Sequence, residues 1–216
     1  HARIFYETSA VVIVAFALSL LFDFLDGISA RLLGQSSELG RELDSLADMV
    51  SFGILPTFLM VDIIERSTDI TTMPVYGVIF ILAASAALRL ARFNLETGGS
   101  PEFSGLPSPA MAIIAFGIWI NLDVSIYPTL EILGDPNFIL ILSIALALFM
   151  NVPLRFIKFA PGWGLSLHKI LSILLIFIFL AGLFISWRIS VLITGLSYLV
   201  LSLMLPLFSD PQPDHR

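Results

Sequence analysis

The sequence has no cysteine and very little charge. The first absence removes disulfides and thiolate metal sites from consideration. The second is a matter of degree: Asp, Glu, Lys and Arg make up 13% of the chain, where a soluble domain carries about a quarter. Heptad runs, low-complexity blocks and internal repeats are also missing. So is a positively charged leader followed by a short apolar core and a small-residue cleavage site. Basic patches interleaved with stacking aromatics are lacking too, and nothing points to nucleic acid. What fills the chain is apolar, 57% hydrophobic residues with a mean hydropathy of +0.96. Such a composition belongs in a bilayer. The net charge of −6 says little by itself, because the side of the membrane on which charges lie is what carries information.

Apolar segments predict an all-α, polytopic transmembrane helix bundle of about seven spans: 9–33, 43–64, 73–92, 107–122, 137–151, 166–186 and 188–207. The fourth and fifth are short for a span of ~20 residues. One domain over 1–208 is expected, followed by a polar, proline-bearing tail over 209–216. One set of helix ends carries Arg31, Arg41, Arg89, Arg92, Arg155, Lys158, Lys169 and Arg216, and the other only Arg3, Arg66 and Arg188. The positive-inside rule makes the first set cytoplasmic. His1 then starts outside, and an odd span count predicts one further helix upstream, giving eight spans with both termini inside. Arg155, Lys158 and Lys169 read as topology residues near anionic headgroups. His168 reads as an interfacial histidine meeting water, and Trp119, Trp163, Trp187, Tyr127 and Tyr198 as interfacial belts or span packing.

Against this background the stretch DFLDGISARLLGQSSELGRELDSLAD, residues 23–48, stands out. Carboxylates at membrane depth are costly and mark a site. On a helix Asp23, Asp26, Gly27 and Arg31 share one face, and Gly40, Asp44 and Asp48, four apart, share a face of the next. A turn near 33–38 allows an antiparallel hairpin that brings the four acids together. Like charges that close need a metal, a proton or a ligand to neutralise them. Four carboxylates suit one divalent metal plus a general base, or two metals sharing ligands. Gly27 and Gly40 leave room for a bulky ligand, and Arg31 offers a fork for phosphate. A phosphate ester linked to lipid is the expected substrate. A divalent-cation transporter is the rival of another class, although transporter sites usually lie near the midplane and not at one end.

The pattern Asp23-x2-Asp26-Gly27-x2-Ala30-Arg31-x8-Gly40-x3-Asp44-x3-Asp48 resembles, without departure, the signature of the CDP-alcohol phosphotransferases. The resemblance implies that Asp23, Asp26 and Asp44 bind divalent metal, Mg²⁺ or Mn²⁺, and that Asp48 is both ligand and general base. It implies that Gly27, Ala30, Arg31 and Gly40, with Asp23, Asp26 and Asp44, form the CDP site. A homodimer is implied as well. Three further runs, Asp48-Met49-Val50-Ser51-Phe52-Gly53, Ala87 to Asn94 and Phe103 to Ala110, are similar to the serine-using branch of that family, the phosphatidylserine synthases. That branch implies transfer of a phosphatidyl group from CDP-diacylglycerol to L-serine at the cytoplasmic face of the cell (inner) membrane, in contact with membrane lipids. Acceptors such as glycerol 3-phosphate or inositol phosphate keep the same chemistry. Arg89 and Arg92 are candidates for a carboxylate or the diphosphate, or else snorkel to headgroups. Asn94 is a candidate acceptor for an ammonium. Gly105-Leu106-Pro107-Ser108-Pro109 reads as the start of a helix, since proline suits the first turn.

Overall fold

The computed structural model describes residues 2–33, 38–67, 73–95, 105–122, 132–154, 156–157 and 167–208. All regular structure among them is helical. In chain order it consists of α1 (Ala2–Leu33), α2 (Glu38–Asp48), a π-helical stretch (Met49–Ile54), α3 (Leu55–Ser67), α4 (Met73–Leu95), α5 (Ser108–Asn121), α6 (Pro136–Asn151), α7 (Leu167–Leu183) and α8 (Trp187–Phe208). Because α2, the π stretch and α3 run on without a break, the described residues form seven rods, matching the spans expected from hydropathy. Three windows, Ser9–Asp26, Glu42–Arg66 and Trp187–Leu205, are long and apolar enough to cross a membrane, and α5, α6 and α7 are shorter apolar helices. Arg155, Lys158, Trp163, Tyr127, Phe103, Ser104 and the 209–216 tail fall outside the described residues.

The short fourth span lies inside the bundle. Helix α5 is apolar all round and almost wholly buried, as expected of a core helix that never meets solvent or lipid. It packs on α3 and α8, while α4 lies along α6 and α7 along α8. Lipid-facing surfaces leave no hydrophobic drive for helix association, so close approach at small residues does the work. A Cβ on Gly117 would stand 2.9 Å from Leu192 Cα, and one on Gly182 would stand 2.9 Å from Ser190 Cα. These glycines let the α8 backbone press against α5 and α7. At its start α5 is fixed differently. Gly105 takes φ +95°, a region closed to most side chains. Its N–H donates to Leu154 O at 2.9 Å, and Leu106 N–H donates to Phe149 O at 2.8 Å. Pro107 sits at the N-cap of α5 and Pro109 in its first turn, which bears out the expected helix start.

The π stretch has a local cause. Pro56 lacks an N–H, and its ring would collide with the carbonyl four residues back in a regular α-helix. The preceding turn widens instead: Leu55 N–H donates to Val50 O, five residues back, and Thr57 Oγ donates to Gly53 O at 2.8 Å. Gly53 then admits α4, for a Cβ there would lie 3.1 Å from Ala86 Cβ. At the end of the bundle away from Asp48, polar side chains tie helices together. Trp119 Nε1 and Arg66 both donate to Asp62, and Asn121 Nδ2 donates to Gly117 O at 2.7 Å and Arg188 O at 2.9 Å.

Replacing Gly117 by alanine should cost about 1–3 kcal/mol through overpacking, read as a lowered thermal midpoint in detergent. Gly77→Ala, where nothing lies within 4 Å of the new Cβ, should leave the midpoint within error.

Candidate active site

Helices α1 and α2 bring three of the four expected acids together, and most of the turn expected near 33–38 lies outside the described residues. Carboxylate oxygens of Asp23 on α1 and of Asp44 and Asp48 on α2 all lie within 4.8 Å of one another. Asp23 and Asp48 are half-buried and Asp44 is exposed. Asp26, one turn beyond Asp23, is exposed and stands outside that group, though near enough to act on Asp23 electrostatically. Gly27, Ala30 and Arg31 continue the same helix, and Gly40 opens the acid-bearing face of α2. The side-chain surroundings of Ala30 and Arg31 lie outside the described residues. Three hard oxygen donors this close fit a Mg²⁺- or Mn²⁺-sized ion, which takes carboxylates and completes its shell with water or phosphate. Such an ion, like a proton, would relieve their repulsion.

Asp48 has a second neighbourhood. It forms part of the wall of a cavity of about 670 Å³, together with Arg89, Phe93, Pro107, Tyr198 and apolar residues of α5, α7 and α8. Arg89 is buried, 9% exposed, and its Nη1 donates to the buried Ser108 Oγ at 3.4 Å. Tyr198 is buried on α8 and its hydroxyl donates to Ile157 O at 3.2 Å. Arg89 is the single basic residue of this lining among the described residues.

The other two candidates from α4 point elsewhere. Arg92 Nη1 donates to Asn151 Oδ1 at 3.4 Å on α6. Asn94 Nδ2 donates to Ser45 Oγ at 2.9 Å, and the Asn94 carbonyl stands 3.2 Å from the same hydroxyl. So Arg89 meets the cavity and Asp48, Arg92 braces α4 against α6, and Asn94 meets the helix that carries Asp44 and Asp48. Tyr198, read from sequence as belt or packing, is a cavity residue. No local pattern marks it, since only the docking of α8 against α5 and α7 brings it to Arg89.

The family description "CDP-alcohol phosphatidyltransferase" matches residues 3–152, which includes every acid above. The chain belongs to this family. Its relatives include proteins named CDP-diacylglycerol–serine O-phosphatidyltransferase. That of Bacillus subtilis is 37% identical over 111 residues, covering 50% of this chain and 59% of the relative. That of Helicobacter pylori strain 26695 is 33% identical over 182 residues, covering 82% of this chain and 74% of the relative. A protein of Methanothermobacter thermautotrophicus named archaetidylserine synthase is 36% identical over 107 residues, covering 48% of this chain and 44% of the relative. The chain spans about half the length of several of these relatives. No solved structure matches it. The matched residues contain the acids and glycines of α1 and α2. The C-terminal helices α7 and α8, which complete the cavity, lie beyond the matched residues.

A divalent ion seated among these acids should stabilise the fold by mass action, by about 2.7 kcal/mol at a hundredfold excess over its Kd. Thermal melts in detergent should therefore shift upward with Mn²⁺ or Mg²⁺ and return with a chelator. Asp44→Asn should remove most of the shift.

Proposed function

We propose that this protein transfers the phosphatidyl group of CDP-diacylglycerol to the hydroxyl of L-serine, giving phosphatidylserine and CMP. The observation that carries this reading is the meeting of two features at Asp48: a three-carboxylate group on one side and a cavity with one buried guanidinium on the other. The first suits a cytidine diphosphate ester held through a divalent ion, with Asp23, Asp26, Asp44 and Asp48 as its holders. The second suits a small acceptor bearing one negative charge. A phosphomonoester such as glycerol 3-phosphate or inositol phosphate brings close to two charges and would call for more than Arg89. Serine is also the acceptor that the relatives' names share.

The chemistry follows from what these residues can do. When bound, a divalent ion supplies Lewis-acid stabilisation of the diphosphate oxygens and of departing CMP. Gly27 and Gly40 leave room for the nucleotide, and Arg31 can pair with its phosphate in a bidentate fork. Arg89 holds the serine carboxylate, which orients the serine hydroxyl toward Asp48. An Asp48 carboxylate oxygen takes the hydroxyl proton as the oxygen attacks phosphorus, since a carboxylate is too weak a base to remove it beforehand. The P–O bond to CMP breaks as the new ester forms. Apolar walls around Phe93, Ile113 and Leu175 keep water, the competing nucleophile, away from the phosphorus. By the positive-inside pattern this end of the bundle faces the cytoplasm of the cell membrane, so donor lipid comes from the inner leaflet.

Incubating purified protein with CDP-diacylglycerol, Mn²⁺ and a panel of alcohols should yield phosphatidylserine alone by lipid mass spectrometry. Glycerophosphate or inositol-phosphate products would overturn the choice of acceptor. Asp48→Asn should lower kcat by ~10²–10⁴-fold with CDP binding partly retained. Arg89→Gln should raise the KM for serine at least tenfold and leave the KM for CDP-diacylglycerol nearly unchanged.

A further inference from the structure

Helix α2 carries two of the three clustered acids, and several of its apolar side chains face outward from the bundle. Leu39, Leu43 and Leu46 are exposed, and its main packing partner among the described elements is the π stretch that continues it. Carboxylates within 4.8 Å across α1 and α2 push the two helices apart whenever their charge is uncompensated. A lateral tether is therefore required. The described side chains supply one at Ser45. This residue follows Asp44 directly and precedes Asp48 by one helical turn, and its half-buried hydroxyl meets the Asn94 amide at the end of α4, 49 residues away in sequence.

We infer that Ser45 and Asn94 form a positioning pair that fixes α2 so that Asp44 and Asp48 stay in range of Asp23. Three features support this. The contact is neutral, so it holds the acids without adding a charge that would compete with the ion for them. It uses both polar atoms of the amide, the nitrogen as donor at 2.9 Å and the oxygen at 3.2 Å. Finally, it joins α2 to α4, which is itself braced on α6 through Arg92 and Asn151 and packed along that helix, so α2 is referred to the rigid part of the bundle. On this account Asn94 acts through Asp44 and Asp48 and not on the acceptor.

The inference rests on the divalent-ion reading of the acids, and its test separates the two. Mn²⁺ affinity is measured by electron paramagnetic resonance on detergent-purified protein, and the KM for serine by phosphatidylserine formation. Ser45→Ala and Asn94→Ala should each weaken Mn²⁺ binding about tenfold, the scale of losing a residue that orients metal ligands. The double variant should be no weaker than either single one, the mark of a coupled pair. Ser45→Thr, which keeps the hydroxyl, should restore affinity, and the KM for serine should stay within twofold throughout. If Mn²⁺ affinity is unchanged in both alanine variants, the pair does not position the acids. If Asn94→Ala alone raises the KM for serine while Ser45→Ala does nothing, Asn94 is an acceptor ligand and the inference fails. If the unaltered protein binds no Mn²⁺, the metal reading fails first and this inference goes with it.

Discussion

Mutual repulsion among Asp23, Asp44 and Asp48 is the constraint around which this bundle is arranged. Three carboxylates whose oxygens lie within 4.8 Å of one another, two of them half-buried, repel when ionised. Everything near it either tolerates that cost or offsets it. α1 and α2 bring together acids that are separated in sequence. The π stretch and the Ser45 contact hold α2 in phase, and the buried α5 gives the remaining helices a common axis. A divalent ion seated among these acids would remove that repulsion and gain the energy it costs the fold.

The division of the chain into two halves follows. Residues 3–152 carry the family match and the whole acid group, and α7 and α8 lie outside it. Those last helices nevertheless shape the cavity at Asp48, through Leu175, Thr194, Gly195 and Tyr198. Residues within the family match thus supply the acids, Arg89 and much of the cavity wall, and α7 and α8 complete it.

Much of this was legible in the residues. Long apolar runs bounded by polar turns gave the seven rods, because in a bilayer the backbone has few alternatives to helix. The acids were readable because offsets of three and four are local geometry: Asp44 and Asp48 share a face in any α-helix. Contacts between distant segments were not readable in this way. Asn94 invited pairing with a ligand ammonium on its chemistry alone, and its engagement with Ser45 depends on how α4 crosses α2. Tyr198 looked like any membrane tyrosine until α8 was docked. The π stretch carried a single local hint, Pro56, which by itself signals a kink as readily as a widened turn.

That widened turn has a consequence for how the rod from Glu38 to Ser67 may vary. A π turn amounts to one residue more than an α-helix would use over the same rise. It lets the acid-bearing end and the core-packing end of one continuous helix take independent azimuths. Were the same six residues, Met49 to Ile54, wound as regular α-helix with none removed, Asp44 and Asp48 would swing by about 100° relative to α3. Every polar group would remain, and α3 could keep its packing on α5, yet the acids would no longer face α1. In this helix a register, and not only a set of side chains, is under constraint.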